Sequence, residues 1–83
     1  MRIKLKLFAT LGDHLPAGAQ ENAIQIEVPD DATPNQVIDR FKVPRKMAHL
    51  VLVNGIFVDP AHRDEGRLKD GDVLAVWPPV AGG

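Results

Sequence analysis

The distribution of apolar residues along the chain predicts five β-strands and one main helix. Strict alternation of apolar and polar residues, typical of strands with one solvent-exposed face, marks the first two strands, and largely apolar runs mark the other three. The predicted strands cover residues 2–7, 23–28, 50–53, 56–58 and 73–77. A short helical turn is predicted over residues 12–16, between the first two strands.

The main helix is predicted from the residues that begin it. Thr33 is a good N-cap, Pro34 suits the first helical position, and Gln36 can complete a capping box with Thr33. The helix is predicted over residues 34–42, because Pro44 disfavours helical geometry at the residue before it.

The order of these elements predicts an α+β fold of the β-grasp, or ubiquitin-like, type. Asn54-Gly55 is a strong hairpin signal between the third and fourth strands. The continuous run over residues 50–53 predicts a strand covered on both faces. One helix cannot cover both faces of a sheet, so a mixed sheet of about five strands is expected to wrap around it and leave its other face partly open. The first and last strands are expected side by side near the middle, where long connections allow them to run parallel.

Charge and hydropathy exclude several classes of partner. The formal net charge is −1, which does not favour nucleic acid or an acidic membrane surface. No apolar run is long enough to cross a membrane, and the charged N-terminus does not resemble a signal peptide, so a cytoplasmic protein is expected. Arg2, Lys4 and Lys6 alternate with apolar residues. They are either an ordinary solvated surface or a basic strip that faces an acidic partner.

The residues of the folded body predict no catalytic or metal site. The chain has no cysteine and no serine, which excludes thiol chemistry and a serine triad. His14, His49 and His62 lack the spacing of metal ligands, and Asp70 and Asp72 are interpreted as turn residues. The protein is therefore expected to act by binding or through its C-terminal segment, and no bound cofactor is expected.

The C-terminal segment is the candidate reactive element. We divide the chain into a β-grasp domain, residues 1–77, and an extended Gly-Gly tail, residues 78–83. Pro78 and Pro79 cannot donate backbone hydrogen bonds and favour an extended, stiff segment. Six residues reach roughly 20 Å, and the small residues that follow the prolines, Val80, Ala81, Gly82 and Gly83, fit a narrow channel. A carboxylate on Gly83 would need activation, for example as a mixed anhydride with AMP, before it accepted sulfur or an amine.

Four segments resemble the MoaD/ThiS family of sulfur carriers, and most of all the small subunits of molybdopterin synthase in that family. They are residues 8–11 (FATL), residues 50–55 together with 68–72 (LVLVNG and LKDGD), and residues 77–83 (WPPVAGG). The family usually has Arg where this chain has Gly12, so docking to the family's adenylating enzyme is expected to differ in detail. The family also has a longer end to the helix, where this chain has residues 43–47.

The resemblance implies that an E1-like enzyme uses ATP to adenylate Gly83. It also implies that the adenylate is sulfurated to a thiocarboxylate and that sulfur is donated inside the large catalytic subunit of molybdopterin synthase or an equivalent acceptor. Thiamine synthesis or another pathway, conjugation to lysines as a ubiquitin-like modifier, and a plain binding module with a passive tail remain as alternatives.

The partner interface is predicted on apolar strand residues that one helix cannot cover. Such patches usually mark interfaces. Phe8, Leu52 and Trp77 are the candidates, all close to the tail. The alternative for Trp77 is a core or sheet-face aromatic residue.

Overall fold

Five strands form a single mixed sheet in the computed structural model, which describes residues 1–80. The strands are β1 (Arg2–Leu7), β2 (Ala23–Glu27), β3 (Leu50–Val53), β4 (Ile56–Phe57) and β5 (Val73–Trp77), and the one α-helix is α1 (Pro34–Arg40). Short 3₁₀ helices cover Ala9–His14, Arg45–Met47 and Pro60–His62. The spatial order of the strands is β2-β1-β5-β3-β4.

The centre of the sheet has the predicted topology. β1 and β5 pair in parallel, from Lys4 opposite Val73 to Leu7 opposite Val76. All other pairs are antiparallel: β2 with β1, β3 with β5, and β4 with β3. The predicted β-grasp arrangement of a mixed sheet with one main helix is confirmed.

The core lies between one face of the sheet and α1. The apolar residues of β1 that alternate with cations are deeply buried, and Leu5 and Leu7 are fully inaccessible to solvent. Their neighbours in the core are Leu74 and Val76 of β5, Val51 of β3, and Val37 and Ile38 of α1. The inward-facing residues of the strands and the apolar stripe of the helix therefore pack into one cluster.

The predicted start of α1 is confirmed in detail. The Thr33 side chain accepts a hydrogen bond from the Gln36 amide at 3.3 Å, and the Gln36 side chain accepts one from the Thr33 amide at 3.1 Å. Pro34 occupies the first helical position, where its missing N–H leaves no hydrogen bond unmade.

The predicted end of α1 is wrong by two residues, because the helix stops at Arg40 rather than Lys42. Lys42 adopts a positive φ of 60°, and the amides of Lys42 and Val43 donate to the carbonyls of Asp39 and Ile38. This is the hydrogen-bond pattern of a Schellman motif. Its left-handed residue is usually glycine or asparagine, so a lysine there gives no signal in the sequence.

Two further expectations need correction. The helical turn predicted over residues 12–16 is a 3₁₀ helix over Ala9–His14, because the Leu11 amide bonds to the Phe8 carbonyl as soon as β1 ends and Leu11 enters the core. β3 is not covered on both faces: Val51 is buried, but Leu50 remains 36% exposed. The helix covers one face of the sheet, and among residues 1–80 no second layer covers the other.

The β3–β4 connection is the predicted hairpin. Asn54 and Gly55 have φ values of 52° and 82°, as a two-residue turn with left-handed residues requires. Pairing continues from Val53 opposite Ile56 to Leu52 opposite Phe57, and the strand ends there, one residue earlier than predicted.

Candidate functional site

The face of the sheet opposite α1 carries a continuous apolar surface, which we call the open face. Register places its members on the same side of neighbouring strands: Phe8 directly after β1, Ala75 and Trp77 on β5, Leu50 and Leu52 on β3, and Phe57 on β4. Leu50 and Phe57 are 36% and 53% exposed, and Leu52 is half-buried. An exposed apolar surface of several neighbouring side chains is typical of an interaction site.

Phe8 and Trp77 form the end of the open face from which the C-terminal segment leaves. Their rings are stacked, with centroids 4.2 Å apart and an interplanar angle of 7°. The Phe8 amide donates to the Val76 carbonyl, so the β1–β5 ladder extends one residue beyond β1 and sets Phe8 beside Trp77. Ala9 then takes a positive φ of 52°, which is uncommon for a residue with a Cβ and turns the chain away from the sheet.

The first residues of the C-terminal segment border an apolar cleft. The cleft has a volume of about 470 Å³ and is lined by Ala9, Thr10, Met47, Trp77, Pro78, Pro79 and Val80. Pro78 is half-buried, whereas Pro79 and Val80 are exposed. β5 therefore leads without interruption from the centre of the sheet to the edge of this cleft.

A buried arginine supports the strands that carry the distal half of the open face. Arg63 is 5% exposed and donates hydrogen bonds to the carbonyls of Ala48, His49 and Val58 at 2.7, 3.1 and 2.9 Å. These carbonyls lie just before β3 and just after β4. Burial lowers the pKa of Arg63, and its three carbonyl partners compensate part of the cost of removing the guanidinium from water.

The other displaced pKa values belong to ion pairs at the surface. The hydrogen bond with Asp59, at 2.9 Å, raises the pKa of His62, and the same contact lowers the pKa of Asp59. Likewise, the hydrogen bond from Arg45 lowers the pKa of Asp39. Each pair joins residues close in sequence and neither includes a residue of the open face.

Two other features are absent from the part of the chain that the structure describes. Among residues 1–80, no group of three or more His, Cys, Asp or Glu side chains is arranged to hold a metal ion. No helix within that range is long and apolar enough to cross a membrane.

The structure brings together part of the predicted site. Phe8, Leu52 and Trp77, the predicted interface residues, share the open face, and Pro78, Pro79 and Val80 follow Trp77 directly. Trp77 is a half-buried residue on a face of the sheet and borders the cleft. Its predicted contact with a partner stays a prediction. Ala81, Gly82 and Gly83 lie outside the described residues, and their predicted roles stay predictions.

Gly12, which stands where arginine was expected from the resemblance, lies against a neighbouring loop. A Cβ at Gly12 would be 3.1 Å from the Asn22 side-chain nitrogen, which donates to the Leu7 carbonyl at 3.0 Å. A larger side chain here would require Asn22 to shift. The packing around Gly12 is thus close enough to leave little space for a side chain.

Sequence reasoning missed several members of the site. Leu50 and Phe57 belong to the open face, and Met47 lines the cleft. Side chains alternate between the two faces of a strand, so Leu50 and Leu52 share the face opposite Val51. The two-residue hairpin then sets Phe57 opposite Leu52, and this signal could have found both residues. Met47 reaches the cleft through the fold of the connector after α1, for which the sequence carries no periodic signal.

Comparison with known proteins gives a consistent result. The model of the ThiS family matches residues 6–83. No curated protein sequence matches the chain. Among solved structures, the HVO 2177 protein of Haloferax volcanii is 31% identical with a TM-score of 0.75, and the match covers 100% of this chain and 87% of that chain.

Two further structures extend the comparison. SAMP1 of Haloferax volcanii, a small archaeal modifier protein, is 27% identical with a TM-score of 0.69, and both chains are covered fully, at 100%. A Pyrococcus furiosus protein assigned as molybdopterin converting factor, subunit 1, is 29% identical with a TM-score of 0.65, and the match covers 95% of this chain and 98% of that chain.

Proposed function

The chain belongs to the ThiS family of small ubiquitin-like carrier proteins, and from this membership we propose that it carries sulfur as a thiocarboxylate on Gly83. The observation that carries the proposal is the family match, which runs from β1 through residue 83 and so includes the Gly-Gly segment. The chain would be a carrier and co-substrate, and the catalysis would belong to its partners.

The proposed chemistry begins with activation of the Gly83 carboxylate. A carboxylate oxygen attacks the α-phosphorus of ATP on a partner enzyme, pyrophosphate leaves, and an acyl-adenylate forms. A hydrosulfide ion then attacks the carbonyl carbon, AMP leaves as the C–O bond to the phosphate breaks, and a thiocarboxylate remains after loss of a proton. ATP is bound and consumed by the partner, so the carrier needs no cofactor of its own.

The proposed partners are an E1-like adenylating enzyme and a large catalytic subunit that accepts the sulfur. Both must hold the body of the carrier while the tail enters an active site. The open face suits this task, because Phe8, Leu52 and Trp77 are apolar and partly accessible. Phe8 and Trp77 lie next to the start of the tail, and Leu52 lies opposite Ala75, two residues earlier on β5. Apolar and aromatic residues in the centre of a patch are typical anchors of protein interfaces.

Within this chemistry we favour molybdopterin synthesis, for a molybdenum or tungsten cofactor, as the pathway. The Pyrococcus relative is assigned as subunit 1 of a molybdopterin converting factor, which supports a second, larger subunit as the acceptor. The two prolines that follow Trp77 also favour this branch of the family. Thiamine synthesis or another sulfur-transfer pathway would use the same carrier chemistry and is the alternative acceptor.

A second candidate function is conjugation to proteins. The likeness to the archaeal modifier SAMP1 over the whole chain favours it. In that case the activated Gly83 carbonyl would be attacked by a lysine amine instead of sulfide. Tagged protein expressed in its native host would then form covalent ladders that resist reductant.

Intact-mass spectrometry tests the proposed function. The protein is incubated with the adenylating enzyme of its own organism, ATP and sulfide, and a fraction of chains should become heavier by the difference between one sulfur and one oxygen atom. The unreacted mass also establishes whether the natural chain ends at Gly83. A chain shortened by Gly83 alone is the matched control and should stay unmodified. If the full chain is never sulfurated under conditions that sulfurate a known carrier, the proposal is wrong.

A further inference from the structure

The open face has a charged border along β1. Arg2, Lys4 and Lys6 all point away from the core, but they differ in their partners. Arg2 forms an ion pair with Glu27 at 3.0 Å across the β1–β2 ladder. No carboxylate in residues 1–80 lies within 4 Å of the Lys4 or Lys6 ammonium group. Two cations therefore have no counter-ion within residues 1–80.

These two lysines are continuous with the apolar surface. Register sets Lys4 opposite Val73 and Lys6 opposite Ala75, and Phe8 follows on the same side of the chain. Ala75 is in turn opposite Leu52 of β3. The lysines thus border the apolar residues on one side only, and the opposite side of the patch is formed by Phe57 on β4.

Three acidic side chains near the start of β1 and β5 make hydrogen bonds with groups other than these two lysines. Glu27 pairs with Arg2, and Asp70 accepts a hydrogen bond from the Arg2 amide at 2.8 Å. Asp72 accepts from the Lys69 amide and the Asn54 side chain, both at 2.8 Å. The chain as a whole carries a net charge of −1, yet the β1 border of the open face carries two lysines that have no ion-pair partner among residues 1–80.

We propose that Lys4 and Lys6 dock against carboxylates on the adenylating enzyme, at the rim of an apolar surface that receives Phe8, Leu52 and Trp77. This inference rests on the proposed function, because it names the chemistry of the partner that function requires. Complementary charge at a rim speeds encounter and fixes register. Because the lysines lie on one side of the patch, they favour one orientation of the carrier, in which the tail points into the active site.

The test measures adenylation of the carrier, followed as pyrophosphate release at varied carrier concentration. We expect the double variant Lys4→Glu/Lys6→Glu to raise the KM for the carrier by about tenfold at low salt, with kcat unchanged, because attraction at two rim positions becomes repulsion. The effect should shrink between about 0.05 and 0.5 M salt, as the Debye length shortens to a few ångströms. Lys4→Arg/Lys6→Arg should retain the KM of the natural chain.

Lys42→Glu is the matched control. Lys42 is an exposed lysine after α1, on the helix side of the sheet, and its replacement makes the same change of charge per site. It should change the KM by less than about twofold. Lys4→Gln/Lys6→Gln, which removes charge without adding repulsion, should raise the KM by roughly threefold. This variant still tests the contact if the glutamate variant does not fold. Thermal unfolding verifies that each variant is folded.

The outcomes separate the two proposals. If the natural chain is not adenylated at any concentration, the proposed function fails. If it is adenylated and the glutamate and glutamine variants match the Lys42→Glu control, the rim contact is overturned while the function stands. A loss in kcat with unchanged KM would also overturn it, because a rim contact acts on association.

Discussion

Successive residues of each strand point to opposite faces of the sheet, and the two faces have different surroundings. Leu5 and Val51 point towards α1 and are fully buried, whereas Lys6 and Leu52, their neighbours in sequence, lie on the open face. The face towards α1, which we call the closed face, forms the core. The open face leaves apolar side chains exposed to water, which is unfavourable in free energy. We infer that stability and docking depend on separate sets of side chains, which the following substitutions can test.

The largest expected effect is on the closed face. Leu5→Ala should lower the free energy of unfolding by about 3 kcal/mol, because it leaves a cavity at the centre of a close-packed core. Leu52→Ala, the matched change on the open face, should cost about 1 kcal/mol or less. Urea unfolding of both variants measures the difference.

Carrier function should show the opposite order for the same pair. At a temperature where both variants are folded, Leu52→Ala should raise the KM for adenylation more than about fivefold, and Leu5→Ala should hardly change it. Equal costs of unfolding, or equal effects on KM, would show that the two faces are not separate.

Arg63 connects the two faces, because it is a buried charged residue that holds the strands carrying part of the open face. Arg63→Met should lower the free energy of unfolding by about 2–4 kcal/mol, because three carbonyls lose their donor. Arg67→Met is the matched control at an exposed site and should change stability by less than about 0.5 kcal/mol.

Hydrogen exchange gives the local readout for Arg63. The amides of β3 and β4 should lose protection in Arg63→Met more than those of β1 and β2, which do not contact the guanidinium. Uniform loss of protection across the sheet would indicate that Arg63 stabilises the whole fold and has no local role at the open face.

Local signals explain how much of this architecture could be predicted. The capping box at Thr33 and Gln36 and the turn at Asn54-Gly55 are short-range patterns with one favoured geometry, and both occur as expected. For these two, the residues that give the signal also make the contact. The order of the elements placed β1 beside β5 and allowed them to run parallel, as they do.

The errors come from contacts between residues that carry no local signal. The helix ends early because Lys42 takes a conformation that lysine seldom adopts, held by the bond from the Val43 amide to the Ile38 carbonyl. β3 was expected to be covered twice because its four apolar residues suit a buried strand, but coverage depends on where α1 lies. For the site, Phe8, Leu52 and Trp77 were named from the sequence, while the ring stack needed coordinates.

The ring stack itself gives a smaller expected effect. A double-mutant cycle with Phe8→Leu and Trp77→Leu should show a coupling of about 1 kcal/mol in the free energy of unfolding, because stacked rings stabilise each other beyond the area they bury. The cycle of Phe8→Leu with Phe57→Leu, on strands at different positions in the sheet, is the control and should be additive. Additivity in both cycles would mean that Phe8 and Trp77 act as independent surface groups.

The smallest expected effect lies outside both faces, at the Asp59–His62 pair. The pKa of His62 is raised, first by its hydrogen bond with Asp59 and less by Glu65. A raised pKa in the folded state stabilises the fold below the ordinary histidine value of 6.5, and that contribution is lost as pH rises through the folded value. Unfolding midpoints should therefore fall slightly from about pH 6 to about pH 8 in the natural chain relative to His62→Gln.

NMR titration of the His62 ring should show a downward shift of its pKa in Asp59→Asn and a lesser one in Glu65→Gln. If Glu65→Gln has the larger effect, or if neither variant moves the titration, the ion pair does not hold in solution as the structure describes it.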